Sequence, residues 1–332
     1  MAALIEARDG AGLDAAGFDA IAAACRPVVL RGLVRHWPLV AAAETPHGLA
    51  AYVDRYDSGG MVEAFVGDPA IAGRYFYGDT LDGFNFERQR MTLREAVAAL
   101  AAPRTPGVPS LYIGSLPIDA YLPGLAEQVR VPPRPGLTGG RLWIGHESLV
   151  STHHDMLDNL ACVVAGRRRF TLYPPELIGD LYVGPLDRTM AGQPVSLAAS
   201  APPGDPRYPR FAAVADQALV AELEPGDALY MPKLWWHQVE GLAPFNALLN
   251  FWWDGFAAGG DPPFASVLLA MISIAERPPG ERAAWRALFD HYVFRPDRHP
   301  LEHLPAADHG VLGPLRQTYG RLRAQVMRML RG

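Results

Sequence analysis

The sequence predicts a mainly β protein with flanking helices, and three observations carry that expectation. Between Ser110 and about Gly255, short apolar runs recur with glycine or proline at their ends, the punctuation of a sandwich or barrel. Beyond Gly255 the pattern changes to a helical one, with Leu315, Tyr319, Leu322, Val326 and Leu330 recurring every three or four positions. A chain of 332 residues that is 49% hydrophobic and 20% charged has enough apolar side chain to bury a full core.

Taken in order, residues 1–109 read as a mixed α+β flank. An alanine-rich helical stretch covers Asp14 to Cys25, and Pro27-Val-Val-Leu-Arg-Gly32 reads as a short strand ended by glycine. Thr92-Leu-Arg-Glu95 has the spacing of a capping box and starts a helix through Leu100. Residues 110–256 form the β core, with strands expected at Leu111–Ile113, Leu142–Ile144, Leu160–Val164, Arg169–Tyr173, Ala228–Met231 and Ala247–Trp253. The stretch Gln193 to Arg210, rich in proline, serine and alanine, is a long excursion of the kind that rims sites. Residues 257–332 form a helical region and a possible dimerisation element.

A net charge of -5 and a pI near 6.1 argue against broad nucleic-acid binding. The five arginines between Pro314 and Gly332 read as a solvated helix face beside a packing or dimer stripe. Cys25 and Cys162 are far apart and outside any Cys-x-x-Cys pair, so neither a disulfide framework nor a thiolate zinc site is indicated. No apolar run of membrane-spanning length occurs and charge arrives at Glu6, so a soluble, cytoplasmic protein without a membrane partner is expected. Gly10-Ala-Gly12 shows no strand signal before it and reads as a turn. His291, His299, His303 and His309 are scattered over a proline-broken region and read as solvated or capping residues.

The chemistry concentrates at Ser151-Thr-His153-His-Asp155. On an extended strand His153 and Asp155 leave the same face and can share one metal, while His154 points away. A second histidine from a distant strand completes a two-histidine, one-carboxylate face, which leaves three positions open on Fe(II). His237 is the candidate, following the turn Glu224-Pro-Gly-Asp227, a strand, and the pair Trp235-Trp236.

These residues carry a family resemblance. His153-His-Asp155-Met-Leu-Asp-Asn159-Leu-Ala-Cys-Val-Val-Ala-Gly166-Arg-Arg168-Arg-Phe-Thr-Leu-Tyr-Pro-Pro175 resembles the metal-binding hairpin of JmjC hydroxylases in the cupin-like group, which includes the asparaginyl hydroxylase acting on hypoxia-inducible factor. Pro225 to Glu240 and Asn250-Phe-Trp-Trp253 look like that family's second metal segment and the strand after it, and the likeness runs in order from about Arg26 to Asp254.

The resemblance implies a double-stranded β-helix, or jelly roll, with His153, Asp155 and His237 as iron ligands and no catalytic side chain beyond the metal centre. It implies 2-oxoglutarate and O2 as co-substrates. Arg168 stands fifteen positions after His153, where the family holds the distal carboxylate with a basic residue and the relative has lysine. Arg168 alternates with Arg167 and Arg169 along the strand, so those two face the other way. Asn159, Asn250 and Tyr112 match co-substrate contacts, and Val150 stands where the relative has threonine.

Because a carboxylate is present, hydroxylation, or demethylation through hydroxylation, is implied rather than halogenation. The resemblance leaves a protein, peptide or small-molecule prime substrate open, with a protein or peptide side chain first and tRNA not excluded. Trp236 and Trp252 are candidate pocket walls, or else core aromatics. A homodimer through Leu315, Tyr319, Leu322 and Val326 is a further analogy. Two rival readings keep the fold: a cupin metalloenzyme that does not use 2-oxoglutarate, and a non-catalytic binding or regulatory protein.

Overall fold

The computed structural model describes residues 2–105, 107–190, 192–202, 204–255, 259–296 and 298–331. The chain forms two compact units, Met1–Gly255 and Phe256–Gly332.

In the first unit the strands are β1 (Ala3–Leu4), β2 (Glu6–Asp9), β3 (Val28–Arg31), β4 (Met61–Gly67), β5 (Arg74–Tyr75), β6 (Phe86–Thr92), β7 (Ser110–Pro117) and β8 (Arg141–Gly145). They continue as β9 (Ser148–His154), β10 (Asp158–Ala165), β11 (Arg168–Tyr173), β12 (Leu219–Leu223), β13 (Ala228–Met231), β14 (Trp236–Gly241) and β15 (Asn246–Trp253). A nine-stranded sheet runs β2-β3-β13-β10-β15-β8-β7-β4-β6, and a six-stranded sheet runs β1-β12-β11-β14-β9-β5. The mainly β architecture expected from the sequence is the one observed, with helices outside it.

Alternation along β10 and β15 explains the layering. Every residue of β10 is buried, because both faces of this central strand are covered. Leu160, Cys162 and Val164 join Leu249 and Phe251 in a core closed by Phe18, Trp37, Leu49, Leu93 and Val97, so helices Ala15–Ala23, Pro46–Asp54 and Leu93–Ala101 cover that face. The alternate residues Ala161, Val163 and Leu248 pack with Phe170, Leu172, Leu223 and Val239 of the six-stranded sheet. The inter-sheet layer is therefore a second core, and it is the layer that opens into the site.

Helix Leu93–Ala101 begins with the expected capping box: the Glu95 amide donates to Thr92 Oγ1 at 3.2 Å, and the Thr92 amide to the Glu95 carboxylate at 2.8 Å. Strand β6 carries no hydrophobic alternation that would reveal it, since it is the exposed edge of the large sheet and is written in charge. The first 109 residues contribute β2, β3, β4 and β6 to that sheet as well as the covering helices.

Two glycines are required by geometry. Gly166 turns β10 into β11 at φ +70°, and a Cβ there would meet Asn246 Oδ1 at 2.4 Å and the Phe245 carbonyl at 2.5 Å. Gly226 takes φ +96° against Arg35 in the turn before β13, where Asp227 accepts from Arg31 at 2.6 Å and from the Gly32 amide at 2.9 Å.

The second unit has helices Pro263–Ile274, Pro279–Phe289 and Leu315–Arg331. Among the described residues no helix is long and apolar enough to cross a membrane.

Candidate metal centre

Strands β9 and β14 pair antiparallel with His153 directly opposite His237, which brings the two rings to 4.4 Å between centroids. Asp155 follows the end of β9. One ligand atom from each of His153, Asp155 and His237 lies within 4.8 Å of the other two. The register of one strand pair thus assembles a three-donor face from residues far apart in sequence.

Both histidines are oriented by the backbone. His153 Nδ1–H donates to the Ser151 carbonyl at 2.8 Å, and His237 Nδ1–H donates to the Trp235 carbonyl at 3.0 Å. Each imidazole is fixed in one tautomer with Nε2 left as the donor atom, the arrangement metal-ligating histidines use. Burial pushes the His237 imidazole down to about 4, helped by neighbouring His153, so the ring is neutral and able to ligate at pH 7. Burial alone would raise the Asp155 carboxyl, but His237, His153, Trp252 and Asn159 outweigh it and hold the acid below its usual range.

Asp155 ends a directed chain of hydrogen bonds. Trp143 Nε1 donates to Asn250 Oδ1 at 2.7 Å, Asn250 Nδ2 to Asn159 Oδ1 at 3.3 Å, and Asn159 Nδ2 to Asp155 Oδ2 at 3.0 Å. Trp252 Nε1 donates to the same oxygen at 3.0 Å. Both donors bond Oδ2, the oxygen that also lies 3.9 Å from His237 Nε2, so they fix the carboxylate beside the histidines, and each asparagine keeps one amide hydrogen unused by these bonds. Leu234 takes φ +69°, a conformation that favours glycine, and its amide donates to the Asp155 carbonyl at 2.9 Å, tying the loop before β14 to the end of β9.

The hydrogen bond from Trp252 to Asp155 has a testable effect on metal binding. Trp252→Phe removes one donor while filling most of the same space, and Fe(II) affinity in an anaerobic titration is expected to fall about tenfold. Trp143→Phe, two bonds further along, should have a smaller effect.

Arg168 lies deeper in the same cavity, 1% exposed, on the inward face of β11 between the sheets. Its Nε and Nη2 have no hydrogen-bond partner, and the neighbour that interacts with it is the Tyr112 hydroxyl. Burial lowers the guanidinium's pKa and Tyr112 opposes that shift. Arg169 faces outward, 2.7 Å from Glu222 and 3.4 Å from Glu240, and Arg167 is exposed. A buried cation with unmet donors and no carboxylate among the described residues has the chemistry of an anion site.

The cavity holds about 200 Å³ and is lined by all three candidate ligands, Arg168, Tyr112, Asn159, Asn250, Val150 and Trp252. Trp236 is not among its walls. It neighbours His237 on β14 and points the opposite way, into a separate cluster with Tyr173 and Leu177 and edge-on to His154 at 4.7 Å. Residues of the cavity not apparent from sequence include Phe65, Tyr75, Phe86, Trp143 and Met190. Val195, on the expected excursion, bridges to His153 and lines the cavity.

His146, outside this cavity, provides a pH prediction. Burial, with the charge of Arg104, pushes it down to about 4, and its Nδ1 accepts from the Leu111 amide at 3.0 Å, a bond that protonation breaks. The unfolded chain protonates first, near ~6.5, so this residue's destabilisation is absent above that pH and grows as pH falls toward 4. Denaturant unfolding of metal-free protein at pH 7 and pH 5 is expected to show a loss that shrinks by about 2 kcal/mol in His146→Asn, which keeps an acceptor but cannot titrate.

A family model described as a cupin-like domain matches residues 15–259. The Drosophila melanogaster Jumonji C domain-containing protein 5 is 33% identical over 153 residues, covering 43% of this chain and 36% of that protein. The human bifunctional peptidase and (3S)-lysyl hydroxylase JMJD7 is 26% identical over 264 residues, 69% of this chain and 77% of its own. The Gallus gallus tRNA wybutosine-synthesizing protein 5 is 30% identical over 153 residues, 42% of each. The match thus spans about a third of the Drosophila relative and less than half of the chicken one.

Proposed function

The chain belongs to the cupin-like, JmjC-related family, and on that premise we propose that it is an Fe(II)- and 2-oxoglutarate-dependent oxygenase that hydroxylates an unactivated C–H bond. The observation that carries the proposal is one cavity holding both a facial His153, Asp155, His237 set and a buried, unsatisfied Arg168. The donor set suits Fe(II) with three positions free. The unmet donors of Arg168 favour this reading over a cupin metalloenzyme that has no carboxylate-bearing co-substrate.

When bound, Fe(II) with 2-oxoglutarate and O2 supplies an oxidant that converts C–H to C–OH, yielding succinate and carbon dioxide. The protein's own residues bind, orient and exclude water. His153, Asp155 and His237 hold the metal, and the hydrogen bonds from Asn159 and Trp252 keep Asp155 ionised and fixed beside the histidines. Arg168 and Tyr112 receive the distal carboxylate of the co-substrate, Arg168 through its free Nε and Nη2. The free amide hydrogens of Asn159 and Asn250 are available to its inner end. Val150, Phe170 and Leu248 keep the inner cavity dry, which strengthens each charge interaction there.

A peptide or protein side chain is the proposed substrate, supported by the protein hydroxylase among the relatives. The exposed apolar residues of helix Leu315–Arg331, among them Leu315, Val326 and Leu330, support a homodimer through this face. The enzymatic reading is tested by incubating the protein with Fe(II), ascorbate and 2-oxoglutarate in air. Slow succinate formation that disappears in His237→Ala supports it, and its absence in the wild type refutes it.

A further inference from the structure

The cavity beside the three ligands has a continuous aromatic wall. Phe86 stacks on Phe65 with centroids 4.7 Å apart, and Tyr75 meets Phe86 edge-on at 5.5 Å. Tyr112, Trp143 and Trp252 extend the wall through contacts of 5.6, 6.3 and 6.2 Å. Asp155 is the only carboxylate among the described lining residues, and it is engaged with two donors and faces the metal position.

Two arginine guanidiniums pack against rings of this wall. The Arg88 guanidinium lies 5.1 Å from the centroid of Phe65, and that of Arg141 lies 5.7 Å from the centroid of Trp252. Arg88 is offset by Glu63 at 2.8 Å, whereas Arg141 bonds only to the carbonyl and hydroxyl of Ser115 and has no carboxylate partner among the described residues. An ammonium group entering here loses its water, finds no free carboxylate among the described lining residues to replace it, and has the uncompensated Arg141 guanidinium behind the Trp252 ring. A methylated ammonium, which would otherwise seek aromatic faces, finds Phe65 and Trp252 already used by the protein's own cations. A neutral hydrocarbon group meets neither penalty and gains from burial against the rings.

We propose, resting on the oxygenase reading above, that the prime substrate presents a neutral apolar or aromatic side chain to the wall of Phe65, Tyr75 and Phe86, and that lysine is excluded whether or not it is methylated. The test is ligand-observed saturation-transfer NMR on the full chain with Zn(II) and 2-oxoglutarate. The probes are N-acetyl-leucinamide, N-acetyl-phenylalaninamide, N-acetyl-lysinamide and its Nζ-trimethyl form. The apolar probes are expected to bind about tenfold or more tightly than either lysine probe. Phe86→Ala should weaken them several-fold, while Phe86→Leu should retain the leucine probe.

Equal or tighter binding of a lysine probe overturns the proposal, as does apolar binding unchanged in Phe86→Ala or absent in the wild type. Anaerobic binding of Fe(II) and 2-oxoglutarate to the same preparation reports on the metal and co-substrate separately. Intact binding there with a lysine preference here rejects the substrate class alone.

Discussion

Arg168→Met is expected to weaken 2-oxoglutarate binding by about a hundredfold or more while leaving the ligand-free protein as stable as wild type, or more so. The two effects have opposite signs because the guanidinium is a buried cation with two donors unsatisfied and no carboxylate partner among the described residues. In the ligand-free fold it carries a desolvation penalty that an apolar side chain of similar length lacks. With the co-substrate present, that penalty has already been met and the charge pair forms at full strength in a dry site. Thermal unfolding with and without 2-oxoglutarate separates the two. Wild type should gain stability from the ligand and Arg168→Met should not. Loss of stability in the ligand-free variant would instead make Arg168 a structural residue. Arg168→Lys should keep part of the response, because a single ammonium holds one carboxylate without the bidentate fork.

The second large effect separates adjacent residues. Asp155→Ala is expected to reduce Fe(II) affinity by at least about a hundredfold, more than the loss of any outer-sphere partner. His154→Ala should leave iron binding close to wild type, although His154 lies between two proposed ligands. Its ring is buried on the other face of β9, against Trp236, so its loss opens a gap of about 1–2 kcal/mol in that packing and leaves the donor face untouched. Anaerobic metal titration and denaturant unfolding measured on both variants should give opposite rankings.

The candidate site residues were legible where their signal is local. The His-x-Asp spacing identifies a shared face because side-chain direction alternates along a strand, and the inward direction of Arg168 follows from the same rule. The capping box at Thr92 was legible because its two partners, Thr92 and Glu95, stand three residues apart at a helix start. Alternation also contained the answer for Trp236: as the neighbour of a residue facing the cavity, it faces away.

What the sequence withheld is non-local. The pairing of His153 with His237 depends on the register of β9 against β14, which no short window encodes. Trp143 looked like one more apolar residue in a strand until β15 placed the Asn250 amide against its indole. Phe86 lies on β6, the edge strand of the large sheet, where charged residues mask the hydrophobic period, and Phe65 lies on its neighbour β4. The aromatic wall therefore emerged only once the sheet was assembled.

The most direct test of the central claim is anaerobic titration of the protein with Fe(II) and 2-oxoglutarate, followed in the visible. A keto acid chelated to a two-histidine, one-carboxylate Fe(II) face is expected to give a charge-transfer band near ~500 nm. Wild type is expected to show that band, and His153→Ala and Asp155→Ala to lose it. Iron binding without the band in the wild type would contradict the co-substrate assignment and the role given to Arg168.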